Sequence, residues 1–247
     1  MNIIITMAGA GSRFRDAGYD LPKYRIEAHG RTLLEWSLMS LKDYLLHAGR
    51  VVFLVRAEDR SAGFIDETAK RFGIGRPVID ELECPTDGQA TTALLGIQRC
   101  AEGEPVMIYN IDTYIEPGQL RFDRICGAGY IPCFHAAGTH WSFVRLDAEG
   151  RAVEVCEKRR ISENCSLGAY YFESTALYRD AYDRLYGAGW DGAREKYIAP
   201  MYNLLIGDGR EVRISLVDPR RVHVLGTPEE LHAFLALPRD EIGEEDL

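Results

Sequence analysis

The chain is predicted to be an α/β protein, with three α/β/α layers around a mixed, mostly parallel sheet. Three observations predict this. The runs Ile3-Ile4-Ile5, Val51–Val55 and Val106–Tyr109 are short and continuously apolar, the pattern of strands covered on both faces. Between the first two, Leu34, Leu38, Leu41 and Leu45 recur at spacings of 4, 3 and 4, which is one face of a helix. Strand and helix alternate through the first half, implying parallel crossovers, whereas the second half carries strands too close in sequence for helices between them.

The elements follow in order. The first strand runs into the glycine loop Met7–Ser12. A helix over Gln89–Cys100, with Ala93, Leu94 and Ile97 on one face, precedes the third strand, which ends at Asn110-Ile111-Asp112. Trp141–Leu146, Ala152–Cys156 and Leu167–Phe172 read as strands joined by short links such as Asp147-Ala148-Glu149-Gly150, an antiparallel element added to the core. Helices are expected around Ser174–Tyr186 and Glu195–Ile206, and strands over Val212–Val217 and Val222–Leu225. A last helix starts at Thr227-Pro228, with Thr227 as its cap, Pro228 in its first position and Glu229 and Glu230 in its first turn. The acidic stretch 239–247 reads as a solvated tail. Without an internal repeat or a linker-like stretch, residues 1–247 read as one domain.

The loop after the first strand carries the chemistry. Gly9 and Gly11 permit turns in which backbone N–H groups crowd around an anion, and Arg13 and Lys23 add positive charge beside them. Strand, glycine loop and cations together suit a polyphosphate. The loop is not a Walker loop, since no G-x-x-x-x-G-K-[ST] string follows the strand. It is not the dinucleotide fingerprint either, because Phe14 stands where the third glycine belongs. Read without other information, a sharp turn with no ligand competes evenly with a phosphate cradle. Asp112, at the carboxyl end of a core strand, suits Mg²⁺ held against phosphate oxygens, and its competing reading is a side chain that caps the next turn.

Met7 to Phe14 with Pro22-Lys23 resembles the nucleotidyltransferases that make sugar nucleotides, whose signature is G-x-G-[ST]-R-[FL] followed by P-K. The resemblance extends from Ile3 to Leu235 and implies a Rossmann-like, nucleotide-diphospho-sugar transferase-like fold. It implies that the loop Met7, Ala8, Gly9, Ala10, Gly11 and Ser12 wraps a triphosphate, with Arg13 and Lys23 on its phosphates as the catalytic cations. It implies that Gly88, Gln89 and Ala90, in the string Asp87-Gly88-Gln89-Ala90-Thr91, lie beside the base together with Asn110. Asp112 becomes the principal metal ligand. Val155-Cys156-Glu157-Lys158 and Ser166–Phe172 resemble the family's E-K and G-[IL]-Y-x-F strings. By that resemblance Glu157 binds acceptor hydroxyls, Lys158 binds the acceptor phosphate, and Gly168 and Tyr170 line the same pocket. Arg159 and Arg160 extend the positive charge, either to help with an anionic acceptor or simply as exposed residues. Residues 1–125 then form a nucleotide-binding half and residues 126–238 an acceptor-binding half.

Two departures stand out. The family's P-K-P-[LM]-[IV] is here Pro22-Lys23-Tyr24-Arg25-Ile26. Two residues before Gly226-Thr227-Pro228, where the sugar enzymes carry a second metal-binding Asp, this chain has Val224. Either Asp112, phosphates and waters hold the ion, or a group such as Asp218 or His223 substitutes.

Composition excludes other classes. The net charge is −9, which argues against a nucleic-acid partner. No stretch reaches the length of a membrane span, and Met1–Met7 lacks a signal peptide's basic region. The six cysteines show no metal spacing and read as reduced thiols of a cytoplasmic protein. The expected function is a Mg²⁺-dependent nucleotidyltransferase. It joins a nucleoside triphosphate to a phosphorylated acceptor, a sugar 1-phosphate or another small metabolite, and releases pyrophosphate. By resemblance such proteins serve capsule or other surface polysaccharides. The alternatives are a CTP-dependent cytidylyltransferase for a non-sugar acceptor, a glycosyltransferase of related fold, for which Asn110-x-Asp112 is a weak echo of D-x-D, and a nucleotide sensor without turnover. The chain is compatible with an oligomer.

Overall fold

The computed structural model describes residues 1–187, 190 and 195–243. The chain begins with β1 (Asn2–Thr6), the short helix α1 (Ser12–Asp16), and the small hairpin of β2 (Glu27–Ala28) and β3 (Arg31–Thr32). There follow α2 (Leu33–Ser40), α3 (Lys42–Leu46), β4 (Arg50–Arg56), α4 (Ala62–Arg71), β5 (Val78–Leu82), α5 (Gln89–Ile97) and β6 (Val106–Asn110). The second half comprises β7 (Thr113–Ile115), β8 (Gly129–His135), β9 (Ser142–Leu146), β10 (Ala152–Glu157), β11 (Asn164–Ser166), β12 (Ala169–Phe172), α6 (Thr175–Tyr186) and α7 (Tyr202–Gly207). It closes with β13 (Val212–Leu216), β14 (Val222–Val224) and α8 (Pro228–Leu235). No helix among the described residues is long and apolar enough to cross a membrane.

One large mixed sheet runs in the order β10-β9-β11-β8-β12-β6-β1-β4-β5, with β13 pairing β8 in parallel. Strands β6, β1, β4 and β5 are parallel, Ile4 standing between Val52 and Ile108. Beyond β6 the order turns antiparallel, as the close spacing of strands in the second half requires. Side chains alternate across β1: Ile3 and Ile5 pack with Leu34, Leu38 and Phe53, while Ile4 packs with Ala90, Ala93 and Ile97. Both faces are therefore covered, which explains the unbroken apolar runs. Gly96 lets α5 lie flat on the sheet, since a Cβ there would sit 2.8 Å from both Ile4 and Leu54. A third cluster, built on Phe14, Trp36, Tyr114, Leu231 and Phe234, ties α1, α2 and α8 together.

Local chemistry sets the helix starts. Thr32 caps α2 in a reciprocal box with Glu35, and Thr227 Oγ1 accepts the Glu230 N–H at 3.2 Å to open α8. The Leu34–Leu45 face is real but divided, since the backbone breaks at Leu41 between α2 and α3.

Two expectations are corrected. The helix expected from Glu195 begins only at Ala199, as a 3₁₀ turn before α7, because residues 195–198 make other contacts described below. The expected solvated tail is tied down as far as Gly243: Ile242 is buried, and the Tyr114 hydroxyl donates to the Gly243 carbonyl at 2.6 Å. Residues 244–247 lie outside the described residues.

Candidate active site

Strand β1 pairs with β4 on one side and β6 on the other, so the chain leaves in opposite directions on either side of it. A crevice opens at such a switch point, beyond the carboxyl ends of the strands. The loop after β1 and Asn110-Ile111-Asp112 after β6 both end there.

The loop is anchored at its start and open beyond. Met7 is buried, and its N–H donates to Leu54 at 3.0 Å. Gly9, Ala10, Ser12 and Arg13 are exposed, with Ala8 and Gly11 half-buried. Gly11 precedes α1 with φ +61°, a left-handed conformation that suits glycine. Lys23 reaches back from the turn after Pro22 and places its ammonium 2.5 Å from Asp112. A cation not anticipated from sequence, Arg56, ends β4 and donates to the Ala10 carbonyl at 3.3 Å. Its signal was position: an arginine at the carboxyl end of the parallel strand beside β1.

On the other side of the crevice, the Gln89 side-chain amide donates to Asn110 and, at 3.3 Å, to Thr6. These three side chains meet where β1, β6 and α5 converge. Gly88 also has a packing use that the sequence does not show. A Cβ there would lie 2.4 Å from both the nitrogen and the oxygen of Lys196, so the backbone of 196 occupies the space its missing side chain leaves. The Ala90 N–H is likewise taken, donating to the Lys196 carbonyl at 2.9 Å.

The residues expected to bind the acceptor also gather. Glu157, at the end of β10, accepts from the Ser142 hydroxyl, and the Tyr170 hydroxyl is 3.3 Å from that same Ser142 oxygen. Burial pushes the Glu157 carboxyl above its ordinary value against the Ser142 hydrogen bond, and pushes the Tyr170 hydroxyl up to about 12. Gly168 joins the halves: its carbonyl accepts the Asn110 N–H at 3.0 Å, and a Cβ on it would stand 3.0 Å from Asn110 Nδ2. Lys158 does not pair with its neighbour Glu157. Held at φ +54°, it donates to the Tyr197 hydroxyl at 2.5 Å and lies 4.5 Å from the centre of that ring. The Tyr197 contact raises the Lys158 ammonium above its usual value.

Arg159 and Arg160 do not extend the positive charge of this pocket. Arg159 turns to Glu154 and Cys156, and Arg160 binds the carbonyls of Ala136 and Gly138. The suggested substitutes for a second metal ligand have partners of their own. Asp218 is paired with Arg220, while His223 bonds Glu116 at 3.1 Å and stacks on Tyr114.

The fit to a divalent cation rests on two carboxylates flanking Gly226. A Cβ there would meet Glu230 Oε2 at 3.1 Å and Asp112 Oδ2 at 4.0 Å. The Asp112 side chain is 55% exposed, and Glu230 Oε2 is buried without a hydrogen-bond partner. Among the described residues no three His, Cys, Asp or Glu side chains cluster as a metal cage. One exposed carboxylate, with a second buried and unpartnered nearby, leaves coordination to phosphate and water, which fits Mg²⁺ better than a dedicated cage would.

No family model and no curated protein matches the chain. Solved structures do. A nucleoside-diphosphate-sugar pyrophosphorylase from Vibrio cholerae is 35% identical, covering 96% of this chain and 100% of that one, with a TM-score of 0.86. An inositol-1-phosphate CTP transferase from T. maritima is 17% identical, over 95% and 94%, at 0.74. A CTP:phosphocholine cytidylyltransferase from Streptococcus pneumoniae is 13% identical, over 95% and 97%, at 0.69. The last two share the fold. The first, alike in sequence along its whole length, makes this chain a member of the nucleotidyltransferase family to which nucleoside-diphosphate-sugar pyrophosphorylases belong.

Proposed function

We propose that the chain transfers a nucleotidyl group from a nucleoside triphosphate to a phosphorylated small acceptor, with Mg²⁺ as the cation and pyrophosphate as the second product. The observation that carries this reading is the pairing, at one switch point, of the glycine loop and Lys23 with Asp112. Support for the acceptor side comes from Glu157 and Tyr170 meeting at the Ser142 hydroxyl, and from Gly168 joining β6 through Asn110.

In the proposed reaction an acceptor phosphate oxygen forms a bond to the α-phosphorus, and the bond from that phosphorus to the bridging oxygen of the β-phosphate breaks. A phosphomonoester has its second pKa near ~6, so the attacking oxygen is already ionised and needs no general base. Catalysis is then positioning and charge neutralisation. Lys23 and Arg13 hold triphosphate oxygens over the loop backbone. Gln89 and Asn110 face the base. Lys158 keeps the Tyr197 hydroxyl on one of its three N–H donors and offers the others to the acceptor phosphate, and Glu157 accepts from acceptor hydroxyls. Mg²⁺, when bound, supplies charge neutralisation between Asp112 and the phosphates.

Val224, which cannot ligate a metal, favours a second reading: CTP as donor and a non-sugar phosphorylated alcohol as acceptor. Cytoplasmic action and a product used for surface polysaccharides rest on the family resemblance alone. The test is a pyrophosphate-release screen of the common triphosphates against phosphorylated sugars, polyols and choline. Release of pyrophosphate that requires both substrates supports the proposal. In a separate arm with nucleotide-sugar donors, release of nucleoside diphosphate points to a glycosyltransferase, and binding without turnover across the panel points to a sensor.

A further inference from the structure

Three consecutive residues tie the two halves of the site together. On the nucleotide side, the Lys196 N–H donates to the Asp87 carbonyl at 2.9 Å, and the Lys196 carbonyl accepts from Ala90 at 2.9 Å. The first turn of α5 has no side-chain cap, so this carbonyl does the capping. The Lys196 ammonium stands 2.8 Å from Asp87 and 3.2 Å from the Tyr182 hydroxyl, with only 12% of the side chain exposed. Burial works to raise the Asp87 carboxyl, but hydrogen bonds from Lys196 and Thr91 outweigh it and hold the group below its usual value. On the acceptor side, Tyr197 accepts from Lys158 and donates to Glu195 at 2.6 Å. Its carbonyl is held by the Tyr186 hydroxyl at 2.5 Å.

We propose that Lys196 is a positioning residue that couples the two substrates: it fixes the turn carrying Gln89 and, through its neighbour Tyr197, the ammonium of Lys158. This inference rests on the functional reading above. The geometry leaves little slack. Gly88 is packed against the peptide of Lys196, so the α5 turn and residue 196 move together. Residue 197 is one peptide further along, and its phenol holds the group that is to meet the acceptor phosphate. A nucleotide that orders Gln89 therefore orders Tyr197 and Lys158 as well. By reciprocity of binding, an acceptor that draws on Lys158 favours the nucleotide-ready turn by the same factor.

The test is an initial-rate surface over both substrate concentrations, with the triphosphate and acceptor that give the fastest pyrophosphate release. It yields the factor by which each substrate strengthens the other. In the wild type that factor is expected to be about fivefold or more, the lower range of measured couplings. Lys196→Met and Asp87→Asn each bring it to within about twofold of one, and the double variant goes no further, because the two act as one pair. Lys196→Arg, which keeps the charge, retains most of it. A factor unchanged in Lys196→Met, whatever happens to its melting temperature, overturns the proposal and leaves a purely structural strap. A wild-type factor of one overturns it too, with the functional reading intact. Absence of pyrophosphate release from every pair overturns the functional reading itself.

Discussion

The Lys23 ammonium lies 2.5 Å from the Asp112 carboxylate, across 89 residues of sequence. The lysine side chain is 12% exposed and the aspartate 55%, so the pair sits at the mouth of the crevice with its carboxylate facing out. An exposed ion pair of this kind contributes little to stability. Under the proposed function, a triphosphate would draw the ammonium to its own oxygens and free the carboxylate for a divalent cation.

Lys23→Ala or Arg13→Ala should lower kcat/KM for the triphosphate at least about tenfold, equivalent to roughly 1.4 kcal/mol of transition-state stabilisation. Folding should be intact by circular dichroism. Wild-type kinetics in both variants contradict the phosphate cradle.

Asp112→Asn keeps the shape of the side chain and removes its charge. Mg²⁺-dependent turnover should be lost while the melting temperature stays within a few degrees of wild type. A variant that keeps near-full rate at limiting Mg²⁺ places the metal elsewhere.

Lys158→Ala should raise the acceptor KM by about tenfold to a hundredfold, since a charge-assisted contact contributes roughly 1.5–3 kcal/mol, and should leave triphosphate binding much less affected. Lys158→Arg should rescue only partly, because a planar fork does not fit where a point charge did. Equal changes in both KM values contradict a separate acceptor role.

Glu116 gives a pH signature away from the site. Burial works to raise its carboxyl, but hydrogen bonds from His223 and Arg221 prevail and hold it below its usual value of 4.5. A depressed carboxyl adds stability that is present above the unfolded value and lost as pH falls through the folded one. The difference in melting temperature between wild type and Glu116→Gln should therefore be greatest near neutrality and shrink below pH 4.5. A difference that grows in acid contradicts the assignment.

The parallel core was legible because its signals are local. Ile3–Ile5, Val51–Val55 and Val106–Tyr109 are buried on both faces and say so by composition. Strand β8 escaped notice because Pro132 interrupts its middle and Gly129 opens it, both poor strand residues; parallel pairing with β13 and antiparallel pairing with β12 hold it in place. The glycine loop, Lys23 and Asp112 were readable as a set, and the structure brings the last two into contact. The role of Gly88 was not readable, because the backbone it accommodates belongs to Lys196, far along the chain. Tyr197 was hidden for the same reason: nothing in its local sequence points to Lys158.

The central claim is tested most directly by ³¹P NMR of the purified protein with Mg²⁺, a triphosphate and a phosphorylated acceptor chosen from the screen. The account predicts one equivalent of pyrophosphate for each new P–O–P-linked product, with both signals absent when either substrate is omitted. Nucleoside diphosphate in place of pyrophosphate, or triphosphate breakdown that proceeds without acceptor, would contradict it.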